Sequence, residues 1–592
     1  MTRHTLREAL APLALLATIA LGAAAVTVVW LALAVAGLID NGAWSPPPWS
    51  PRLLTETPPT TDSFALVLAC SVGLLSAVVI AAILLLRRLI QRLRPAPMLD
   101  RAGLGDLAGD EQEKRARSLR GMPKRRELSA ADRGIRLGLL DGREIWMSWE
   151  DVALVIMGPR SNKTSAVAVP AVLSAPGLAI ATSNKSDLWA LTSGPRREVG
   201  PVWTFDPQQI AFAPQAWWWD PLRAVRDAPA DHRYEAAARL AGHFMATIGG
   251  QRRDPFFHAA GEQVLVGTLL AAALSDATMR EVSLWLQQGR RDALVALDRI
   301  GATGEAAELE AALNGADVTA KGIFQTARTA TKSLASERTL RWITPPHTWR
   351  AGDGGLQEEL DPWQLVLESA ERPVTAHLMS KEGAGTAAPV VAALVDRILD
   401  VAESHAQASG GRLDPPVVAV LDEAANICPI QELPKLYSHY GSRGIQVLTM
   451  LQSYQQGVGV WGAQGMDALW SAATVKLVGA GVDDHAFLQR LSGLIGDHDV
   501  DKQSVSVSRG SRTWQTSTTR QPIMPPDALR ALDRTRAVLL TSGRRTGVAR
   551  LLPWYREDHA ADIRTYADTA LAELRASARE ALGPRYDTGE SR

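Results

Sequence analysis

The chain begins with two long apolar runs. Residues 11–39 (APLALLATIALGAAAVTVVWLALAVAGLI) and 64–86 (FALVLACSVGLLSAVVIAAILLL) hold no charged residue. About 20 apolar residues cross the hydrocarbon core of a bilayer. Both runs are therefore predicted transmembrane helices in an anchor covering residues 1–95. A cleaved signal peptide is the alternative for the first. Arg3 and Arg7 precede the first run, and Arg87, Arg88, Arg92 and Arg94 follow the second. The Pro-rich stretch between them sets Arg52 against Asp40, Glu56 and Asp62. Basic flanks stay on the cytoplasmic side. The expectation is a two-span, multi-pass protein of the cell membrane, with both termini and the bulk of the chain cytoplasmic.

Beyond the anchor the pattern changes. Residues 96–130 carry Pro, Gly and a basic run (Lys114, Arg115, Arg117, Arg120, Lys124, Arg125, Arg126). This reads as a linker, solvated beside anionic lipid or, more sharply, touching DNA. Residues 139–146 read as a β-hairpin turning at Asp141-Gly142, a pair suited to a type I′ turn. Buried-strand runs follow at 152–156, 178–182 and 202–205. Strands alternating with helix-like stretches over residues 131–225 predict the first part of a parallel sheet. Residues 226–345 are Ala- and Leu-rich, with helix starts marked by Asp254-Pro255 and by Thr278 and Glu281. They are predicted to form an all-α insertion. The strand pattern resumes at 416–421, within a second core segment, 346–558. A charged tail, 559–592, reads as one helix with a loose end.

Composition narrows the classes. The 592 residues are 46% hydrophobic and 21% charged, which excludes chain-wide disorder. Lys+Arg and Asp+Glu balance at 63 each, so no global field draws the protein to nucleic acid. Any such contact must be local. Two cysteines, Cys70 and Cys428, exclude a disulfide framework or a Cys-rich zinc site. Metalloprotease and serine-hydrolase motifs are absent. Trp217-Trp218-Trp219 leaves two readings open, a base-stacking platform or a packed loop.

Two stretches carry candidate nucleotide chemistry. The run at 152–156 leads into Gly158-Pro159-Arg160-Ser161-Asn162-Lys163-Thr164. A strict P-loop reads G-x-x-x-x-G-K-[ST]. Anchored on Lys163, its two glycine positions hold Met157 and Asn162, and Gly158 is displaced by one. Lysine for the β/γ-phosphates and a hydroxyl for Mg²⁺ are nevertheless present in Lys163 and Thr164. Asn tolerates left-handed backbone best among non-glycine residues, so Asn162 can permit the turn, although its side chain can crowd the phosphate. An ordinary strand–loop–helix turn remains the plainer reading. The second stretch is the apolar strand 417–421 ending in Asp422-Glu423. There Asp422 would hold the Mg²⁺ shell and Glu423 would orient and deprotonate water. In this order, on strands of one sheet, the two stretches point to ATP and Mg²⁺.

The surrounding residues are more specific. Leu421-Asp422-Glu423-Ala424-Ala425-Asn426-Ile427 is followed by Gly441-Ser442-Arg443-Gly444-Ile445, then Gln452-Ser453, then Trp461-Gly462. This order resembles the TraG/TraD-type coupling proteins of conjugative type IV secretion, in an actinobacterial-like form. The likeness covers roughly residues 140–560 and the anchor. It implies an α/β fold: a RecA-like P-loop NTPase core with an inserted all-α domain, preceded by two N-terminal transmembrane helices. It implies a homo-hexameric ATPase at the membrane that takes relaxase-bound single-stranded DNA to the type IV secretion channel. Carried over by position, Gly158 to Thr164 bind phosphate, Thr164 and Asp422 hold the metal, and Glu423 is catalytic. Arg443 fits an arginine finger or a surface-loop arginine. Gln452 fits a γ-phosphate sensor or a buried, hydrogen-bonded glutamine. The missing P-loop glycines put hydrolysis in question. Two other readings therefore stand: a non-hydrolysing substrate receptor, and a septal-type double-stranded DNA translocase, which the Asp-Glu-Ala-Ala-Asn stretch and the helical insertion oppose.

Overall fold

The computed structural model describes residues 103–583 except 249–253, 289–290, 315, 350–356 and 509–510, with residue 98 and parts of 22–80. The chain divides into two compact units, Met1–Ala96 and Pro97–Arg592. In the first, a helix covers Ala25–Asn41, too short to count by itself as a span. The expected span 64–86 is helical at each position that is described. Apart from Gly22 and Ala23, which are helical, the rest of both expected spans lies outside the described residues. One described helix, Pro255–Leu274, has the length and apolarity to cross a membrane, but it belongs to the second unit and is largely buried there.

The second unit is built on an eleven-stranded sheet. Its strands are β1 (Ile135–Leu140), β2 (Arg143–Met147), β3 (Ala153–Ile156), β4 (Leu178–Ser183), β5 (Val202–Phe205), β8 (Val374–Met379), β9 (Val417–Leu421), β10 (Ile445–Leu451), β11 (Val475–Gly479), β14 (Arg536–Thr541) and β15 (Gly547–Arg550). Their order across the sheet is β2-β1-β15-β14-β11-β3-β10-β9-β4-β8-β5. From β11 to β5 all neighbours are parallel; from β11 to β2 they are antiparallel. From β3 to β8 the parallel strands are buried on both faces, which is why β3 and β9 read as unbroken apolar runs. Alternate residues serve two cores: Leu154, Ile156, Val417 and Ala419 face one, and Ala153, Val155, Val418 and Val420 the other. The core is thus α/β, a mixed sheet whose parallel part carries the expected strands.

Between β5 and β8 the chain forms a helical domain. Its centre is Pro255–Leu274, apolar on most of its surface, with Arg233–Met245, Met279–Gln288, Asp292–Arg299, Thr303–Asn314 and Asp317–Ala330 packed around it. Asp254 caps the central helix by accepting from the backbone N–H of Phe256 and Phe257. Glu281 accepts from the backbone N–H of Thr278 at 2.8 Å and from its hydroxyl at 2.5 Å, so the next helix starts on a capping box. The short pair β6 (Trp217–Trp218) and β7 (Glu358–Glu359) closes the base of this domain. Trp217 packs against Trp203, Phe205 and Trp342 with ring centroids 5.3–5.9 Å apart, and Trp219 is buried. The tryptophan triplet is therefore a packed loop, not a stacking platform.

Two segments differ from their sequence pattern, and the tail keeps to its own. The basic run is folded: helix Gly109–Leu119 contributes Arg115, which pairs with Asp106 and Glu150, and Arg120 pairs with Asp132 and Asp414. Both arginines pair with neighbouring acids and with more distant ones, Glu150 and Asp414, which hold the segment on the body. Strands β12 (Asp497–Ser508) and β13 (Ser511–Pro522) form a two-stranded ribbon separate from the main sheet. The tail forms helix Ala560–Leu582, which lies on helix Asp187–Arg197 at Gly194; a Cβ there would sit 2.6 Å from Tyr566 Cβ. Residues 584–592, the expected loose end, lie outside the described residues.

Candidate nucleotide-binding site

The site forms where parallel strands end. Strands β3 and β9 carry the two candidate motifs, and β10 lies between them. The loop after β3 is pinned at its start. The backbone N–H of Met157 donates to Leu451 at 3.0 Å, and that of Gly158 donates to Ala480 at 2.9 Å. A Cβ on Gly158 would lie 2.0 Å from the carbonyl oxygen of Gly481. Glycine is therefore required at 158, one position later than the strict motif has it.

The loop then uses left-handed backbone twice without glycine. Arg160 has φ +57° and Asn162 φ +66°. Asn162 turns its amide to the carbonyl of Arg534, donating at 3.2 Å, and Ser161 Oγ donates to Gly158 at 2.6 Å. Pro159 and Arg160 are exposed, whereas Ser161 and Lys163 are buried. Thr164 opens the helical run into Val169–Ser174.

Lys163 joins the two motifs. Its Nζ donates to Glu423 Oε1 at 2.7 Å and lies 3.1 Å from Asp422 Oδ1. Burial works against its charge, but Asp422 and Glu423 overcome it and raise the lysine above its ordinary range. Thr164 Oγ1 donates to Asp422 Oδ2 at 3.1 Å. Gln452, just past β10, donates from Nε2 to Glu423 Oε2 at 2.9 Å. Glu423 itself sits at φ +56°, a strained value that aims its carboxylate back toward the loop. Lys163, Thr164, Asp422, Glu423 and Gln452 thus form one connected cluster.

Arg443 is not part of it. It precedes β10, and the seven residues of that strand, at roughly 3.3 Å each, hold it about 23 Å from the cluster. Within this chain Arg443 does not reach the cluster. Several partners escaped the sequence reading. Thr182 Oγ1 donates to the Asp422 carbonyl at 3.1 Å, and Gln456 Oε1 accepts from the backbone N–H of Gln452 at 2.8 Å. The spacing Ser453-x-x-Gln456 is a helix-start pattern that flags the second. The ends of β4 and β8 meet separately, through Asn184 and Glu382, with Gln208 accepting from the backbone of Lys381 at 2.9 Å.

Asp422 Oδ1 tests the fit of a metal ion. It is buried, has no hydrogen-bond partner, and meets Lys163 outside hydrogen-bond geometry. With the Thr164 hydroxyl it offers hard oxygen donors, which suit Mg²⁺ completed by phosphates and water. Among the described residues no cluster of His, Cys, Asp and Glu could hold a metal by itself.

The chain matches the family described as "Type IV secretory system Conjugative DNA transfer" over residues 110–292. It matches "TraM recognition site of TraD and TraG" over residues 416–534. It is 22% identical over 407 residues to the protein VirD4 of Agrobacterium fabrum, covering 66% of this chain and 57% of that one. The values for VirD4 of Rhizobium rhizogenes are 22%, 66% and 56%. The chain thus spans a little over half the length of the curated relatives it matches. Among solved structures it resembles the unbound monoclinic form of the bacterial conjugative coupling protein TrwBdeltaN70, with a TM-score of 0.50 and 16% identity. That match covers 74% of this chain and 92% of the other, and it is a likeness of fold.

Proposed function

Since the chain belongs to the coupling-protein family of conjugative type IV secretion, we propose that it is a membrane-anchored, ATP-driven coupling protein. It recruits relaxase-bound single-stranded DNA and delivers it to the secretion channel, acting as a homo-hexamer. The observation that carries this reading is the Lys163–Asp422–Glu423–Gln452 cluster. It links the phosphate loop, the acidic strand and the strand between them. The expected multi-pass placement, with both termini cytoplasmic, belongs to the same proposal.

Each side chain has a distinct task. Arriving phosphates draw Lys163 away from Glu423, because β/γ oxygens offer it more negative charge than one carboxylate. Glu423 is then free to take a proton from the attacking water while Gln452 holds its other oxygen. Thr164 and Asp422 would hold Mg²⁺, which would supply positive charge to offset that of the phosphates. Arg443 reaches the γ-phosphate of a neighbouring subunit as a planar, permanently charged donor. Hydrolysis between subunits then moves segments facing the ring's pore.

The test is Mg²⁺-dependent ATP turnover by the full chain in detergent, with and without single-stranded DNA. Turnover stimulated by DNA is expected, abolished by Lys163→Ala and lowered about 10²–10⁴-fold by Glu423→Gln. Unchanged turnover in Glu423→Gln would refute the assignment. A second reading, a non-hydrolysing receptor, draws on the two non-glycine residues held at positive φ in the phosphate loop. Nucleotide binding without turnover in a folded oligomer would favour it.

A further inference from the structure

We propose that the side chain of Arg160 is a phosphate-contacting cation, acting in cis on the same nucleotide as Lys163. This rests on the nucleotide-binding reading above and assigns a role to a side chain that the motif treats as filler.

The backbone supplies the first argument. Arg160 adopts φ +57°, where a Cβ is unwelcome. Asn162, at φ +66°, is of a residue type that enters this region with little penalty and anchors itself on the Arg534 carbonyl. Arginine has neither excuse. Glycine would satisfy the same turn without strain. A strained residue held at a functional loop points to a use for its side chain.

Charge supplies the second. The buried part of the cluster holds one cation, Lys163, against two carboxylates, Asp422 and Glu423. Its net charge is negative where a polyphosphate must bind. Mg²⁺ would offset the cluster's own excess but only part of the multiple charge of the polyphosphate, and that remainder calls for a further cation close by. Among the described residues Arg160 forms no ion pair and no side-chain hydrogen bond, and it is exposed on the loop itself. Arg534 meets this loop through its backbone carbonyl, which accepts from Asn162. Arg443 cannot serve within the same chain, because β10 separates it from the cluster. A guanidinium carried on this loop can engage phosphate oxygens with two parallel donors.

The experiment compares Arg160→Gly, Arg160→Lys and wild type, as full chains in detergent. It measures affinity for Mg·ADP and for a non-hydrolysable Mg·ATP analogue, together with the unfolding temperature without nucleotide. Arg160→Gly relaxes the backbone, so its unfolding temperature should stay level or rise. Its affinity should nevertheless fall at least tenfold, and Arg160→Lys should recover part of the loss. Equal affinity in Arg160→Gly and wild type overturns the inference while leaving the nucleotide site standing. A loss accompanied by a lower unfolding temperature in both variants also overturns it, since the residue would then act through loop structure. If wild type binds neither nucleotide, the site reading fails first and the inference with it.

Discussion

Restoring glycine at Asn162 is the perturbation that best probes the altered phosphate loop, and the structure forecasts a small effect. Asn162 sits at φ +66°, so Asn162→Gly removes a Cβ from left-handed backbone. For asparagine, which visits this region routinely, that relief is about 1 kcal/mol at most. Two losses oppose it. The amide donates to the Arg534 carbonyl at 3.2 Å, and such a bond contributes about 0.5–1.5 kcal/mol. Glycine also adds freedom to the unfolded chain, at a cost of about 0.4–1 kcal/mol. The two losses total about 0.9–2.5 kcal/mol against a relief of at most about 1 kcal/mol, so the net is a modest loss near 1 kcal/mol. Since 1.4 kcal/mol is about a factor of ten, nucleotide affinity and turnover of Asn162→Gly should stay within tenfold of wild type. Steady-state ATPase kinetics and nucleotide titration on the full chain measure both. A gain of a hundredfold or more would refute the reasoning. It would mean that the asparagine side chain blocks the phosphate site rather than leaning away on Arg534, and that the loop is a decayed version of a faster one.

Two further substitutions test the framework around this loop. Gly158→Ala places a Cβ 2.0 Å from a backbone oxygen of Gly481; it should abolish nucleotide binding and lower the unfolding temperature, and full binding would show that the loop start is not pinned there. Asp396 joins the helical domain to the core. Its carboxylate accepts from Arg239 at 2.5 and 2.8 Å and lies 2.9 Å from His243 Nε2. Burial alone would raise its pKa, but His243 and Arg239 prevail and hold it well below the usual carboxylate range. The stability it contributes is therefore full above the ordinary carboxylate pKa and is lost as pH falls through the depressed native value. Asp396→Ala should cost about 3 kcal/mol at neutral pH, and its gap from wild type in urea denaturation should narrow below about pH 4. A gap that stays constant with pH would show that the charge is immaterial.

What the amino-acid pattern reveals depends on the range of the interaction. Strands β3 and β9 are legible because burial on both faces leaves unbroken apolar runs, and β4 because its first four residues form one. The turn at Asp141-Gly142 is legible because both residues need positive φ, and they have it at 49° and 78°. The phosphate loop is only half legible. Lys163 and Thr164 stand where the motif puts them, but the shift of Gly158 follows from Gly481, more than 300 residues away. That Gln452 touches Glu423 depends on β10 lying between β3 and β9, which chain order does not disclose. The ribbon of β12 and β13 has too few apolar positions to read as strands, since its ladder pairs it with itself. The Arg239–His243–Asp396 cluster bridges 157 positions and leaves no local trace.

The pairing of β1 with β15 sets an order on synthesis. Leu139 lies opposite Arg550, so 411 residues must be added after the first partner before the second exists. At 5–20 residues per second, that delay is roughly 20–80 s. Throughout it the β1–β2 hairpin has one edge without a neighbour, while β3, β4, β8, β9 and β10 can already assemble in sequence. The hairpin closes the sheet last, although it is made first. An unpaired edge invites pairing with a neighbouring chain, and during a burst of expression many such hairpins would wait side by side. Truncation before Gly547 would make that interval permanent, so a shortened chain would be lost to aggregation before any question of its activity arose.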